Sequence, residues 1–397
     1  MRAHKVERTE TSIVANFVAD AMESDVEWVE ALLGRGIRTH RSKDLVSLCY
    51  GKDDPDFADP LVRACRGIVL EVLPSSVTVV CWPFDKFGNS FEPYAAEIDW
   101  KTARAEEKLD GSLVKLYRYH GTWVWATNRM PVASEAECNG YMTYMDAIAE
   151  ADNYADVMSA PLDEENTYMF ELTGPRNHVV VRYDTPHLTH IGTRSNVTGR
   201  ELSADIGIDR PRRVPVSDLN RVVDMAEHLN PSENSEITDE GFVVVDDDWH
   251  RIKVKSQRYA TVHYLMATVG ISRRRAAAIL VDQDEEALHV ARGDPNLRED
   301  FAVYEREYDA VVEGLRTEAE AAVAAMRELD DRAPERDRNR LFAQEARRSA
   351  RDMGIWFHVR KYGYDGPKEL ARQIYEKSNR SFVDRMCRAG GHDVTDA

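Results

Sequence analysis

The periodicity of this sequence changes once, near residue 260, and the change calls for two kinds of fold in one chain. Upstream, β-branched runs recur in pairs around turn residues. Gly67-Ile68-Val69-Leu70-Glu71-Val72 and Val77-Thr78-Val79-Val80-Cys81-Trp82 flank Pro74-Ser75-Ser76. Leu113 to Arg118 and Thr122 to Thr127 flank His120-Gly121, and Gly241-Phe242-Val243-Val244-Val245 is separated from His250-Arg251-Ile252-Lys253-Val254-Lys255 by Asp246-Asp247-Asp248. Each pair predicts a β-hairpin, because Gly, Pro, Asp and Ser supply the backbone angles that tight turns demand. Thr167 to Leu172, His178 to Arg182 and His187 to Thr193 predict further strands. Residues 10–34 predict one or two amphipathic helices, and Ala133 to Ala151 another. Downstream, Ala276 to Arg292, Glu299 to Leu329 and Asn339 to Met353 are rich in Ala, Glu and Arg at helical spacing. The expected class is α+β: antiparallel β-sheets flanked by helices over residues 1–265, then an all-helical domain over 266–397, with the boundary inside 260–275.

Charge follows the same division. The chain of 397 residues has a formal net charge of −18, of which −15 falls on residues 1–270 and −3 on residues 271–397. Such a balance argues against a non-specific polyanion binder but leaves room for a local basic groove. The five cysteines are scattered without CxxC spacing, so neither a disulfide framework nor a zinc site is supported. The N-terminus leads into polar residues and no run of about 18 apolar residues occurs, which predicts a cytoplasmic protein with no membrane partner.

Lysine is scarce, at 12 against 40 Arg. Only the lysine amine can lose its proton and attack as a nucleophile, so each lysine kept in an arginine-rich chain invites a role. In Glu107-Lys108-Leu109-Asp110-Gly111-Ser112, Lys108 precedes a strand and Gly111 permits close approach of backbone to a ligand. An exposed loop lysine is the plain alternative. Residues 116–360 hold two lysines, Lys253 and Lys255. Strand periodicity puts both on one face, opposite Ile252 and Val254, where paired ammonium groups suit a triphosphate. A solvated strand face is the alternative. GxxxxGK[ST], GxGxxG and HExxH are all missing.

Taken in order, Lys108-Leu109-Asp110-Gly111, Phe170-Glu171, Glu240-Gly241 and Lys253-Val254-Lys255 resemble motifs I, III, IV and V of the covalent nucleotidyltransferases, the superfamily of ATP-dependent ligases and capping enzymes. Cys65-Arg66-Gly67-Ile68-Val69, Lys86-Phe87-Gly88-Asn89 and Tyr50, sixteen residues before Arg66, are similar to elements of the phage-type RNA ligase 1 family. The resemblance spans about residues 45–260. It implies a nucleotidyltransferase domain and an ATP-dependent RNA ligase, joining 5′-phosphate and 3′-hydroxyl RNA ends in RNA repair, with ATP and Mg²⁺ (or Mn²⁺) as cofactors. Lys108 would be the nucleophile and become a lysyl-AMP. Lys253 and Lys255 would bind the α-phosphate, Glu240 and Glu171 the metal, and Glu171 also the ribose. Glu106 or Glu107 would lie at the adenine edge, Phe170 at its face, and Gly111 and Val243 in the same pocket. Arg66, Lys86 and Tyr50 would gather at the pyrophosphate or the donor phosphate, and Arg129 would replace a basic residue the family often has after motif I. A monomer meets these needs.

DNA ligase and mRNA-capping guanylyltransferase are the nearest rivals, but both families follow motif V with a β-rich domain, whereas this sequence turns helical. A binding protein that has lost its chemistry is the rival of another class, opposed by the intact polar set. Elsewhere, Ile355-Trp356-Phe357-His358-Val359-Arg360-Lys361-Tyr362 reads either as an RNA-contacting surface or as the packed end of a helical bundle, with burial of aromatics favouring the latter. Asp246-Asp247-Asp248 reads as turn chemistry before a cation site. His187 and His190 lack a third ligand for a metal. Arg273-Arg274-Arg275 would either touch RNA or start a helix facing solvent.

Overall fold

The computed structural model describes residues 5–51, 55–138, 142–177, 179–229, 237–265, 271–283, 285–293 and 297–392. The chain is mixed, with largely antiparallel sheets first (Glu7–Arg8 alone pairs parallel, with Ser76–Cys81, among the named strands) and helices after, and it separates into two compact units that part near residue 260. No helix among the described residues is long and apolar enough to cross a membrane. The five cysteines are all buried and unbridged.

Three sheets of four or five strands build the first unit among the described residues. The first orders its strands Glu7–Arg8, Ser76–Cys81, Arg66–Leu73, Leu45–Tyr50 and Ile37–Ser42. The second orders Arg213–Pro215, Arg104–Lys108, Gly241–Val245 and Arg251–Lys255, and the third orders Glu201–Leu202, His187–Ser195, Asn166–Thr173, Ser112–Tyr119 and Thr122–Thr127. All three expected hairpins form, with His120 and Gly121 both at positive φ (45° and 77°) as a two-residue turn requires. Apolar residues that alternate along the second sheet, Phe242, Val244, Ile252 and Val254, pack beneath the helix Leu219–Glu227 with Val222 and Ala226. Each large apolar side chain buried there contributes ~1.5–3 kcal/mol, which fixes the register of the opposite, polar face. The expected helices near the N-terminus are Ile13–Glu23, capped by Ser12, and Trp28–Leu33.

Two expectations fail. The helix over Ala133 to Ala151 is instead a single 3₁₀ turn (Ala133–Glu135), a two-stranded ribbon (Glu137–Cys138 with Met142–Thr143) and a short helix, Tyr144–Ala149. The reason is local: Thr143 and Asp146 form a reciprocal capping box that starts a new helix at Tyr144. The strand over His178 to Arg182 does not form in residues 179–182; His178 lies outside the described residues. The N–H groups of Val180 and Val181 both donate to the Asp110 carboxylate at 2.7 Å, which replaces a strand ladder.

Among the described residues of the second unit every element is a helix: Arg273–Asp282, Glu285–Gly293, the long Arg298–Arg332, Glu335–Ser349, Met353–Tyr362, Pro367–Lys377 and Asn379–Ala389. Two helices expected as single pieces break, one at Gln283, which takes a left-handed conformation, and one where Asp352 caps a new start.

Candidate active site

Strand register assembles the centre. Gly241 stands opposite Lys108 on one neighbouring strand and opposite Lys255 on the other. Glu240, one residue earlier, is therefore set between two lysines. Its carboxylate, 2% exposed, accepts from Lys108 Nζ at 2.5 Å and pairs with Lys255 Nζ at 2.9 Å. Gly241 is required here: its φ is +145°, and a Cβ would sit 2.2 Å from the Val254 carbonyl oxygen.

The segment Leu109-Asp110-Gly111 then carries the chain from the second sheet into the third, where Ser112 pairs with Leu172. Glu171, next to Leu172, accepts from the Gly111 N–H at 3.1 Å. A side chain on Gly111 would meet the Leu172 carbonyl oxygen at 2.2 Å. Asp110 is buried and faces away from the cleft. It accepts from Val180 and Val181 N–H and from the Tyr259 hydroxyl at 2.6 Å, so it clasps the Lys108 turn to two other segments.

Facing the carboxylates is a cluster of cations. Lys86-Phe87-Gly88-Asn89 runs beside the strand Arg251–Lys255, where Lys253 donates its N–H to Gly88 O at 2.9 Å and accepts from Ser90 N–H at 3.0 Å. The Arg66 guanidinium and the Lys253 ammonium both lie over the Phe87 ring, at 5.1 and 4.9 Å. Lys86 lies over Phe57 and Tyr94, and Tyr50 packs edge-on against Phe57 beside Arg66. Among the described residues Arg66 Nη1 is buried with no hydrogen-bond partner, so this one nitrogen of the guanidinium is free to meet an acceptor. Burial, reinforced by Arg66 and Lys86, pushes Lys253 down to about 6. Burial lowers Lys86 as well. Burial also pulls on Lys108, but Glu240 and Glu171 outweigh it and hold the ammonium above the ordinary lysine range. Glu171 is pushed up to about 7 by burial and the nearby Glu240, against the pull of Lys108. Glu240, despite burial, is held low by Lys108 and Lys255.

The cleft between these groups has a volume of about 100 Å³ and is lined by Arg66, Glu107, Lys108, Glu171, Val243 and Lys253 among others. Ligand pockets ordinarily reach about 300 Å³ or more, so a nucleotide must displace side chains on entry. Lys86 and Tyr50 stand just outside, around Arg66. Glu106 ion-pairs with Arg104 and Arg213, whereas Glu107 has no such partner among the described residues, and burial, with Asp239 nearby, raises its carboxyl.

Two expected residues fall elsewhere. Phe170 is fully buried in the core of the third sheet, against Trp125 and His190. Adjacent strand residues face opposite ways, so placing Glu171 in the cleft sends Phe170 behind it. The aromatic walls are Phe84 and Phe87 instead. Arg129 lies in a separate cavity with His40, Ser112 and Tyr144. The sequence reading also missed Arg251, which lines the cleft, stacks on Phe84 at 4.3 Å and pairs with Glu201 at 2.7 Å. Its signal was there, because residues 251, 253 and 255 share a face. Lys115, fully buried and donating to the Gly67 carbonyl beside Arg66, gave no comparable signal.

The remaining candidates make contacts within the fold. Asp246 is buried and accepts from the N–H groups of Asp99, Asp248 and His250. His190 is buried on Thr193 while His187 pairs with Asp152, and no group of three or more metal-ligating side chains occurs among the described residues. Arg273 is bound by the buried Glu307 through two hydrogen bonds. In the 355–362 cluster, Ile355, Trp356 and Val359 are buried and Trp356 Nε1 donates to Glu318. Phe357 and Tyr362 remain exposed.

Comparison with known proteins gives this chain a family. Residues 64–259 match an RNA ligase family of the phage T4 RNA ligase 1 type. A protein of Autographa californica nuclear polyhedrosis virus, described as a "Putative bifunctional polynucleotide kinase/RNA ligase", is 29% identical over 247 residues, 57% of this chain and 34% of its own length. An RNA ligase of Rhodothermus phage RM378 is 24% identical over 311 residues, 63% of this chain and 71% of its own. The chain thus spans about a third of the first relative and about seven-tenths of the second. The solved structure of an archaeal ATP-dependent RNA ligase aligns over 74% of this chain and 80% of its own at 14% identity, with a TM-score of 0.45, too loose to carry weight. Over residues 64–259, about half its length, the chain belongs to the RNA ligase family of the phage T4 RNA ligase 1 type.

Proposed function

We propose that this protein is an ATP-dependent RNA ligase that works through a covalent Lys108–AMP. The observation that carries the reading is the register at Gly241, which sets Lys108 and Lys255 on one buried carboxylate in the cleft that Arg66 lines. A polyanion is the ligand that this cation cluster lacks. The two relatives named above, both described as RNA ligases, support the same choice.

In the first step Lys108 Nζ, as the free amine, attacks the α-phosphorus of ATP. A P–N bond forms, the bond to the pyrophosphate oxygen breaks, and the pyrophosphate leaves toward Arg66, Lys86 and Lys253. These fixed cations stabilise charge that grows on the leaving group. Lys255 sits beside Glu240 to meet the α-phosphate. Glu171 and Glu240 are hard oxygen donors facing one cleft and fit Mg²⁺ or Mn²⁺, with phosphate and water completing the shell, since no third ligating side chain joins them among the described residues. Bound there, the metal would shield phosphate charge and neutralise Glu240, removing the partner that keeps Lys108 protonated. In the second step the 5′-phosphate of an RNA end takes the AMP. In the third, an RNA 3′-hydroxyl attacks that end and expels AMP. Among the described residues every element after Lys255 is a helix, which gives no support to the β-rich domain of DNA ligases and capping enzymes.

The experiment combines the full chain, Mg²⁺ and a single-stranded RNA bearing a 5′-phosphate and 3′-hydroxyl. Joined or circular RNA is expected with ATP, and none from a 5′-hydroxyl RNA. Joining with GTP but not ATP, or of nicked DNA but not RNA, refutes the reading. The protein is expected to act as a monomer, with a rate that is linear in its concentration.

A further inference from the structure

One side chain of the first unit stands against its surroundings. The layer between the first and third sheets is apolar, built from Leu45, Val69, Cys81, Tyr117 and Ala126. Lys115 enters it fully buried, from the strand Ser112–Tyr119, where it stands opposite Met169 and Ala126. Its neighbours Val114 and Leu116 turn to the other face, into the core around Phe170. Among the described residues no carboxylate pairs with the Lys115 ammonium, and its one hydrogen bond goes to the carbonyl oxygen of Gly67. Burial lowers this ammonium below the ordinary lysine range. Methionine would fill the same space without burying a charge, so a lysine here asks for a reason.

The reason lies at the far end of the side chain. In the first sheet Leu48 stands opposite Ile68 and Cys49 opposite Arg66, so Gly67 falls outside the paired register. Pairing with the strand on the other side begins only at Val69. Gly67 is thus the extra residue of a β-bulge, at φ +82°. Lys115 reaches across from the third sheet and donates to the carbonyl of that residue. The space around the bulge is closed. A Cβ on Gly67 would lie 2.5 Å from the Asn128 carbonyl oxygen and 2.9 Å from both Asn128 Oδ1 and Lys115 Nζ.

A bulge re-aims the side chain beside it. Here that side chain is Arg66, which lines the nucleotide cleft and lies over Phe87. The strand that carries Lys115 also begins directly after Gly111, whose N–H holds Glu171. One strand therefore reaches the acidic side of the cleft at its start and the Arg66 side three residues later. We propose that Lys115 is a positioning residue: by holding the Gly67 bulge across the layer between the sheets, it sets the Arg66 guanidinium where the pyrophosphate of ATP leaves. The proposal rests on the ligase reading above and goes beyond it, because Lys115 lies behind the cleft and does not line it.

The test compares ATP with AMP, which lacks the pyrophosphate. Binding of each is measured by titration calorimetry with Mg²⁺ on the full chain carrying Lys108→Ala, in which no labelling follows. Adding Lys115→Met removes both the charge and the donor. ATP should then bind about tenfold more weakly or worse, and AMP, which also reports folding, within about threefold. Lys115→Gln keeps an N–H for the Gly67 carbonyl and should recover part of the loss. Arg66→Ala should show the same split, and Lys115→Met on top of it should add less than about threefold, because a residue that acts through Arg66 has nothing left to position. Equal weakening of ATP and AMP would make Lys115 a support of the fold alone and overturn the proposal. Unchanged ATP binding in Lys115→Met, or fully additive losses in the double variant, would overturn it too. Failure of the wild type to take label from ATP would instead refute the ligase reading itself.

Discussion

Asp110 belongs to the motif that carries the nucleophile, yet among the described residues its carboxylate forms no ion pair, and its hydrogen bonds go to segments outside the cleft. It accepts from two backbone N–H groups at 2.7 Å and from the Tyr259 hydroxyl at 2.6 Å while 3% exposed. Its work is therefore mechanical: it ties the Lys108 turn to the 180–181 segment and to the helix that follows Lys255. Replacing Asp110 by Ala strands three buried donors. Each hydrogen bond to a charged group is worth ~1.5–3 kcal/mol, and the relaxation of the loop recovers part of the sum, so a loss of ~3–5 kcal/mol is expected. For a unit of this size each kcal/mol moves the midpoint by ~2–4 °C, which places the fall in Tm near ~10 °C. Asp110→Asn keeps one oxygen for the two N–H groups and turns its amide to Tyr259, whose hydroxyl can accept instead; about a third of that loss is expected. The assay is calorimetric unfolding of the full chain together with labelling of the protein from α-labelled ATP. Label should fall in proportion to stability and return in part at lower temperature. Wild-type Tm in Asp110→Ala with label abolished would show that the carboxylate takes part in chemistry and would refute this account.

Other consequences follow from the same contacts. Gly111→Ala drives a methyl group into the Leu172 carbonyl oxygen, so it should separate the third sheet from the Lys108 turn and cut labelling about a hundredfold with little change in RNA binding, as measured by single-turnover labelling and RNA titration. Glu240→Gln removes the charge that holds two lysines, so the Mg²⁺ needed for half-maximal labelling should rise about tenfold or more, and the labelling rate should reach its plateau at lower pH because Lys108 loses its main acidic partner. Lys253 is neutral above about pH 6 in the free protein, and a bound polyphosphate favours its ammonium form. ATP binding should therefore take up about one proton at pH 8, with affinity flat below pH 6 and falling as pH rises above it; titration calorimetry in buffers of different ionisation enthalpy measures this, and zero uptake contradicts it.

Much of this architecture is legible in the sequence because hairpins advertise themselves through local turn chemistry. The Gly241 hairpin shows its face directly: Phe242, Val244, Ile252 and Val254 are buried, which leaves Lys253 and Lys255 for the cleft. The alternation that found the two lysines also contained Arg251. Phe170 was misread because a motif resemblance gives a position in the chain and not a side of the strand; the neighbouring Glu171 already decided that. Arg129 was placed by resemblance, as the basic residue after motif I, whereas the turn at Asn128 sets it in a separate cavity. The segment 180–181 could not be read at all, since its hydrogen bonds go to a side chain 70 residues earlier. In the second unit, helical content was plain from composition, but breaks at Gln283 and Asp352 depend on caps that the Ala-rich and Arg-rich background conceals.

The central claim is that Lys108 becomes the carrier of AMP, and mass analysis of the protein after incubation with ATP and Mg²⁺ tests it most directly. The account predicts a single AMP adduct on the peptide containing Lys108, released by pyrophosphate and missing from Lys108→Ala. An adduct on Lys253, Lys255 or Lys86, or one that persists in Lys108→Ala, would contradict it.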